Sequence, residues 1–183
     1  LCIGVNTALF SVVDAVLFRP LPYPAPERLA QVTMHFENEQ GEGSQVSQTG
    51  SVWEGVRAGA TDLDSAVFTQ SASGVNFALG DQVEYLQQQR VSTGFFRVLG
   101  VLPMLGRGFT GEEDREGGPA VAILSHATWS RLFARDPSVL DSRIPLRGEP
   151  HTVVGVMPDG FETNVAADIW TPVQPSTTGE GAG

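Results

Sequence analysis

The first apolar stretch covers residues 1–18, LCIGVNTALFSVVDAVLF, in which thirteen positions are apolar and Asp14 carries the single charge. A helix of this length spans about 27 Å. The segment is slightly shorter than the roughly 20 apolar residues needed to cross a bilayer. We therefore predict that residues 1–18 are the end of a transmembrane helix. A buried helix of a soluble domain is an alternative, favoured by the polar Asn6, Thr7 and Ser11. A signal peptide fits less well, because no basic n-region or small-residue cleavage site is present.

Alternating prolines follow in RPLPYPAPERL, residues 19–29. Proline fixes φ and disfavours helix at the residue before it, so the helix is predicted to stop at Arg19. Prolines at positions 20, 22, 24 and 26 predict an extended backbone close to polyproline II. We interpret residues 19–28 as a stiff spacer that holds a domain at a fixed offset from the bilayer.

The remaining pattern mixes strands with short helices. Alternating or continuous apolar positions predict strands at 29–36, 66–71, 74–79, 83–92, 121–124, 144–146 and 152–157. Helical spacing predicts helices at 50–60, 93–99 and 127–135. Residues 66–71 and 74–79 are predicted to pair as a hairpin, residues 37–45 to form an exposed loop, and residues 105–109 to form a turn. This order is typical of an α+β fold with a mixed or antiparallel sheet.

Two residues have the chemistry of helix caps. Gly100 follows the apolar trio Phe95, Phe96 and Leu99, and glycine commonly closes a helix at this position. Ser125 precedes the helix predicted over 127–135 and can cap its start.

Composition narrows the class of partner. The 183 residues have a mass of 19.5 kDa, which suits one domain with a short appendage. The chain has 11 basic residues, all of them arginine, and 21 acidic residues, which gives a net charge of −10. Such a balance argues against nucleic acid and against docking on an anionic membrane surface. A single cysteine excludes an internal disulfide framework and a cysteine-based zinc site.

Catalytic patterns are absent from the sequence. It contains no nucleotide-binding P-loop, no G-x-S-x-G elbow and no H-E-x-x-H. His35, His126 and His151 are widely separated, whereas a zinc site needs three or four convergent ligands. Ser125 and His126 are adjacent, and neighbouring helix residues do not face each other. We therefore predict no catalytic residue, metal site or cofactor.

Acidic and aromatic residues have structural interpretations. Glu112, Glu113 and Asp114 are interpreted as a solvated turn rather than a cation site. Trp129 and Trp170 are interpreted as core or rim aromatics rather than cofactor stackers.

Several segments together carry a family resemblance. They are NTALFSVVDAVLFRPLPYPAPERL at 6–29, VSTGFFRVLGVLPMLGRGFTGEED at 91–114, GGPAVAILSHATWSRLFARDPSVL at 117–140, TVVGVMPDGF at 152–161 and DIWTPV at 168–173. In this order they resemble the MacB-like periplasmic core domain of bacterial ABC-type transporter permeases. The resemblance is to the permease group common in acidobacteria and covers nearly the whole chain.

The resemblance implies a non-enzymatic transport component. It implies an extracytoplasmic domain at the bacterial inner membrane that couples conformational change in the membrane to the handling of a substrate or partner outside. The implied partners are an ATP-binding subunit or domain, a second permease and a periplasmic partner. The chain is then an N-terminal fragment: residues 1–18 end a transmembrane helix, 19–28 form the spacer, 29–175 a partial core domain and 176–183 a flexible tail.

Two groups of residues are the candidates for structural roles. The first is predicted to set the geometry between membrane and domain: Arg19, Pro20, Pro22, Tyr23 and Pro24. The second is predicted to form a structural knot: Phe95, Phe96, Leu99, Gly100, Gly106 and Arg107.

Two further hypotheses belong to other classes. One is a binding or assembly module anchored by a single helix and without transport activity. The other is a membrane-anchored hydrolase, which requires His126 or His151 to meet an acid and a nucleophile in a cleft.

Overall fold

A computed structural model describes residues 22–38, 41–79 and 82–176. The predicted transmembrane segment 1–18, Arg19 and Pro20 lie outside these residues, as does most of the predicted tail. In the described part, three α-helices accompany nine strands. The helices are α1 (Gly50–Gly59), α2 (Phe95–Val98) and α3 (His126–Phe133). The strands are β1 (Met34–Asn38), β2 (Gly41–Gln45), β3 (Ser73–Leu79), β4 (Gln82–Val91), β5 (Leu105–Gly106), β6 (Val121–Leu124), β7 (Arg143–Leu146), β8 (Glu149–Val156) and β9 (Ile169–Pro172).

Seven strands form one mixed sheet in the order β5-β8-β6-β9-β4-β3-β7. β4 runs parallel to β9 and β6 runs parallel to β8, while the other pairs are antiparallel. β7 pairs with β8 and also with β3, where Phe77 stands opposite Leu146. The six strands from β8 to β7 therefore close on themselves, and β5 is attached to β8. The predicted α+β class and mixed sheet are confirmed.

Side chains alternate between two apolar clusters, because successive strand residues point to opposite faces. In β6, Ala122 and Leu124 belong to the first cluster, whereas Val121 and Ile123 belong to the second. β9 likewise sends Ile169 to the first cluster and Trp170 to the second. A strand covered on both faces reads as a continuous apolar run, which explains why VAIL was recognisable from sequence.

Local signals place both caps where the sequence predicts them. Ser125 Oγ accepts from Thr128 N at 3.1 Å and begins α3. After α2, Gly100 N donates to Arg97 O and Val101 N donates to Phe96 O, each at 3.0 Å. This pair of bonds is a Schellman motif, which requires the left-handed conformation that Gly100 adopts at φ +72°.

The prediction for residues 37–45 was wrong. Residues Gly41–Gln45 form β2 and pair with β1. Their polar, glycine-rich composition hid the strand, because the apolar contribution comes from the partner strand. A Cβ at Gly43 would lie 2.6 Å from Phe36 Cζ, so the Phe36 ring covers the place where Gly43 lacks a side chain.

The predicted hairpin within residues 66–79 was also wrong. β3 pairs instead with β4, through seven consecutive residue pairs. Phe68, from the first predicted strand, makes only an isolated antiparallel bridge with Val91. β4 is longer than the segment 66–71 and offers β3 more backbone hydrogen bonds. β3 therefore pairs with β4 and not with the segment that precedes it in sequence.

Three boundaries need smaller corrections. The strand predicted over 29–36 begins at Met34, and the turn predicted over 105–109 contains the two-residue β5 beside β8. The spacer is not extended throughout, because Pro26–Arg28 form one turn of 3₁₀ helix in which Leu29 N donates to Pro26 O at 3.1 Å. Proline suits the first position of such a turn, since its missing N–H would have no partner there.

Candidate functional site at the spacer contact

The end of the proline-rich stretch contacts two loops of the domain. Tyr23 Oη donates to Glu162 O at 3.3 Å, and burial raises the pKa of Tyr23. Pro24 lies against Gly100, where a Cβ would stand 3.5 Å from Pro24 Cγ. The chain therefore enters the domain at the cap of α2.

An aromatic cluster lies behind this contact. The Phe96 ring is surrounded by four other rings, with centroid distances between 5.5 and 6.1 Å. These rings belong to Phe95, Phe109, Phe161 and Trp170. Aromatic pairs in such edge-on and tilted arrangements stabilise beyond the area that they bury. α2 is thus fixed to the core through Phe95 and Phe96, although it is only four residues long.

A two-pronged ion pair fixes the loop that follows. Arg107 Nη1 and Nη2 donate to the two carboxylate oxygens of Glu113 at 2.9 and 2.7 Å, and Thr110 N donates to the same carboxylate at 2.8 Å. Burial alone would raise the pKa of Glu113, but the hydrogen bonds from Arg107 and Thr110 and the charge of Arg107 outweigh it and lower that pKa. The Glu113 side chain is 7% exposed and that of Arg107 is 51% exposed.

Asp114 joins the same loop to two distant segments. Its carboxylate accepts from Thr93 N at 2.9 Å, Thr93 Oγ1 at 3.1 Å and Gln174 N at 3.2 Å. Gln174 Nε2 in turn donates to Glu113 O and Gly118 O, each at 3.0 Å. These bonds fasten the start of α2, the 110–118 loop and the chain beyond β9 to one another.

The interpretation of the acidic trio as a solvated turn was therefore wrong for two of its members. Glu112 is exposed, but Glu113 and Asp114 are buried. The partner Arg107 lies six residues away and was recognisable as a candidate. Thr93 and Gln174 lie far away in sequence, and no local pattern indicates them.

The predicted residues come together in part. Pro24, Phe95, Phe96 and Gly100 are in one contiguous region, and Pro22 lies exposed at the start of the described chain. Leu99 packs against the aromatic cluster. Gly106 and Arg107 adjoin Val154 of the same cluster, because a Cβ at Gly106 would lie 2.3 Å from Val154 O and Arg107 N donates to that oxygen.

The histidines have other environments. His126 Nδ1 lies 3.2 Å from Asp159 Oδ1, while Ser125 Oγ is engaged with Thr128. His151 Nδ1 lies 3.0 Å from Glu149 O. Within the described ranges, neither histidine contacts both an acid and a nucleophile, and no cluster of three metal-ligating side chains occurs. Among those residues the condition for the hydrolase hypothesis is not met. Trp129 and Trp170 are buried in the core, as predicted.

Among the helices of the described residues, none is both long enough and apolar enough to cross a bilayer.

Three solved structures share this fold. The periplasmic region of MacB from Actinobacillus actinomycetemcomitans matches with a TM-score of 0.53 and 18% identity, over 66% of this chain and 53% of that one. The extracellular domain of the noncanonic ABC-type transporter YknZ from Gram-positive bacteria matches with a TM-score of 0.51 and 18% identity, over 65% of this chain and 59% of that one. A domain of a protein described as a permease from Porphyromonas gingivalis matches with a TM-score of 0.59 and 19% identity, over 84% of this chain and 66% of that one. The fold is thus shared with the periplasmic region of MacB and the extracellular domain of YknZ.

The family assignment is more specific. The model of the MacB-like periplasmic core domain matches residues 1–181, and the chain belongs to this family. The predicted resemblance is confirmed. No curated protein matches the chain. The matched parts cover between about half and two thirds of the three solved structures.

Proposed function

We propose that this chain is the extracytoplasmic domain of an ABC transporter permease and couples conformational change in the membrane to the handling of a substrate or partner outside it. In this proposal residues 1–18 end a transmembrane helix of the bacterial inner membrane, and residues 19–28 link it to the core domain over 29–175. The domain is non-catalytic. ATP is hydrolysed by a separate or fused ATP-binding subunit, and two permeases act together with a periplasmic partner.

The contact of the spacer with α2 is the observation that carries the proposal. Pro24 lies beside Gly100, with its Cγ 3.5 Å from the position that a Cβ on Gly100 would occupy, and the N–H group of Gly100 is bonded to the last turn of α2. α2 places Phe95 and Phe96 in the aromatic cluster. A densely packed interior transmits displacement rather than absorbing it. Pro24 and Gly100 are exposed, whereas Phe95 and Phe96 are buried, so we propose that movement of a membrane helix passes from Pro24 to α2 and from there to the core.

Softening the spacer tests this coupling. In the intact permease purified with its ATP-binding subunit, Pro22→Gly with Pro24→Gly gives the link more backbone freedom. We expect the complex to assemble normally and its ATPase turnover to fall at least threefold. The matched control is Pro119→Gly with Pro150→Gly, which alters two exposed prolines outside the spacer and should leave turnover unchanged.

Two results would contradict the proposal at different levels. Unchanged turnover in the softened variant would remove the coupling role while keeping the transporter context. A permease that never co-purifies with an ATP-binding subunit would favour the alternative of a single-helix anchored module without transport activity.

A further inference from the structure

The strands β1 and β2 form a two-stranded sheet of their own, separate from the seven-stranded sheet. Over the described residues neither strand pairs with a third, so each has one edge whose backbone groups lack a strand partner. A two-stranded hairpin is marginally stable alone in water, and proteins usually cover or blunt such edges. The hairpin therefore offers an edge to which a further strand can add.

One face of the hairpin is apolar and is accessible from the β2 edge. Met34 and Phe36 lie on this face, because successive strand residues point to opposite sides. The Phe36 ring is 41% exposed and reaches across β2, so that a Cβ at Gly43 would lie 2.6 Å from its Cζ atom. Gly41 and Gly43 place no side chain on this face of β2. A strand added beside β2 would therefore contact the Phe36 ring.

The opposite face of the hairpin is acidic. Glu37 on β1 stands directly opposite Glu42 on β2, and both residues are exposed. Like charges in this position destabilise a strand pair. Within the described part of the chain, neither carboxylate forms an ion pair or accepts a hydrogen bond. The sequences of β1 and β2 contain no arginine that could balance the two charges.

The two faces specify the chemistry of the strand that would add. Its main chain would pair with β2, and its successive side chains would point to the apolar and the acidic face in turn. Apolar side chains suit the Phe36 face, and lysine or arginine side chains would relieve the repulsion between Glu37 and Glu42. A second copy of this chain fits less well, because it would bring the same two glutamates and its own net charge of −10.

We propose that the outer edge of β2 binds an extended basic segment of a partner protein, which adds a strand with alternating apolar and basic side chains. The apolar side chains pack on Phe36, and the basic ones pair with Glu37 and Glu42. The proposal rests on the hairpin alone and not on the transport function, so the two are tested separately.

Two synthetic peptides of identical composition test the alternation. The full chain, in a non-ionic detergent, is titrated against fluorescein-labelled Lys-Val-Lys-Val-Lys-Val or Lys-Lys-Lys-Val-Val-Val, and binding is followed by fluorescence anisotropy. We expect saturable binding of the alternating peptide and at least fivefold weaker binding of the block peptide. Only the alternating peptide, when extended, places its charges and its apolar side chains on opposite faces. Both peptides carry the same charge, so general attraction to an acidic protein does not distinguish them.

Removing the two carboxylates tests the acidic face. Glu37→Gln with Glu42→Gln should weaken binding of the alternating peptide at least fivefold. Because this substitution relieves the repulsion across the strand pair, it should leave the hairpin folded. The matched control is Glu112→Gln with Glu149→Gln, which makes the same change in net charge at two exposed glutamates outside the hairpin and should bind as the native chain does.

Hydrogen exchange separates strand addition from attraction between surfaces. An added strand pairs the outward amides of β2, so exchange within residues 41–45 should slow at least threefold when the alternating peptide is present. The amides of β9, in the interior of the seven-stranded sheet, should keep their rates.

Any of four results overturns the proposal. They are the absence of saturable binding by the alternating peptide, equal affinity for the two peptides, unchanged affinity in Glu37→Gln with Glu42→Gln, and unchanged exchange in β2. Slowed exchange in β2 that grows with the concentration of the chain alone would assign the edge to a second copy and would overturn it as well.

Discussion

At the residue scale, stability near the spacer contact depends on a few side chains that are buried from several directions. Phe96 has four aromatic neighbours, and the buried Glu113 carboxylate accepts two hydrogen bonds from Arg107 and one from Thr110 N. Neither environment is visible in the local sequence around these residues. Each makes a distinct energetic prediction.

Truncating Phe96 should be costly. Phe96→Ala removes a ring that is 2% exposed, and we expect a loss of about 3–5 kcal/mol in the free energy of unfolding. Urea denaturation measures this directly. Val83→Ala, at a side chain 71% exposed, is the control and should change stability by less than about 0.5 kcal/mol. Similar losses in both variants would refute the packing described for Phe96.

The Arg107–Glu113 pair makes stability depend on pH. The pKa of Glu113 is depressed in the folded chain, so the stability that the pair contributes is present above the unfolded pKa of about 4.3 and is lost as pH falls through the lower folded pKa. Arg107→Gln should cost about 1–3 kcal/mol at pH 7 and less at pH 3. Urea titrations at the two pH values give the difference.

Arg115 offers a matched control for this pair. It lies 3.4 Å from Glu112, but both side chains are well exposed. Arg115→Gln should therefore alter stability by less than about 0.5 kcal/mol at either pH. A cost for Arg107→Gln that stays constant between pH 7 and pH 3 would exclude Glu113 as its source.

At the element scale, what could be read from the sequence depended on where each element finds its partners. The Ser125 cap and the apolar spacing within the helix predict α3, and the continuous apolar run predicts β6. β2 has no such signal, because its stability comes from pairing with β1. The hairpin predicted between residues 66–71 and 74–79 was wrong, because the choice between two strand partners of β3 depends on the length of each pairing, which no single segment contains.

The stability that a helix cap contributes should likewise depend on how buried the cap is. Ser125→Ala removes a buried acceptor at 3.1 Å from Thr128 N and should cost about 1 kcal/mol. Thr49 caps α1 through a longer, exposed bond of 3.4 Å to Val52 N. Thr49→Ala should therefore cost less than Ser125→Ala, and thermal unfolding compares the two. The reverse order would contradict the cap geometries.

The last residue of β5 makes a sharper steric prediction. Gly106 has φ +75°, and an added Cβ would lie 2.3 Å from Val154 O. Gly148 has a similar φ of +82° with no atom within 4 Å. Gly148→Ala should show backbone strain alone, about 1–2 kcal/mol, whereas Gly106→Ala adds a clash worth about 1–3 kcal/mol more. Equal losses in urea denaturation would show that the close approach of Gly106 does not matter.

At the scale of the whole molecule, the fold combines a mixed sheet with a chain entry that lies beside the cap of α2. The α+β class and the family were recognisable from sequence, because ordered motifs such as VSTGFFRVLG carry both. The contact between Pro24 and Gly100 was not, although each residue was a candidate, because their meeting depends on how residues 76 positions apart are brought together. In the proposed function, this contact is the point at which the spacer would act on α2.

Hydrogen exchange in the intact transporter tests this coupling most directly. The amides of Gly100 and Val101 bond to the last turn of α2 and report on its cap. We expect ATP binding to change their exchange rates at least threefold, and this change to disappear in Pro22→Gly with Pro24→Gly, while amides of β7 stay constant in both. Exchange at Gly100 and Val101 that ignores ATP, or that responds equally with the softened spacer, would contradict coupling through this contact.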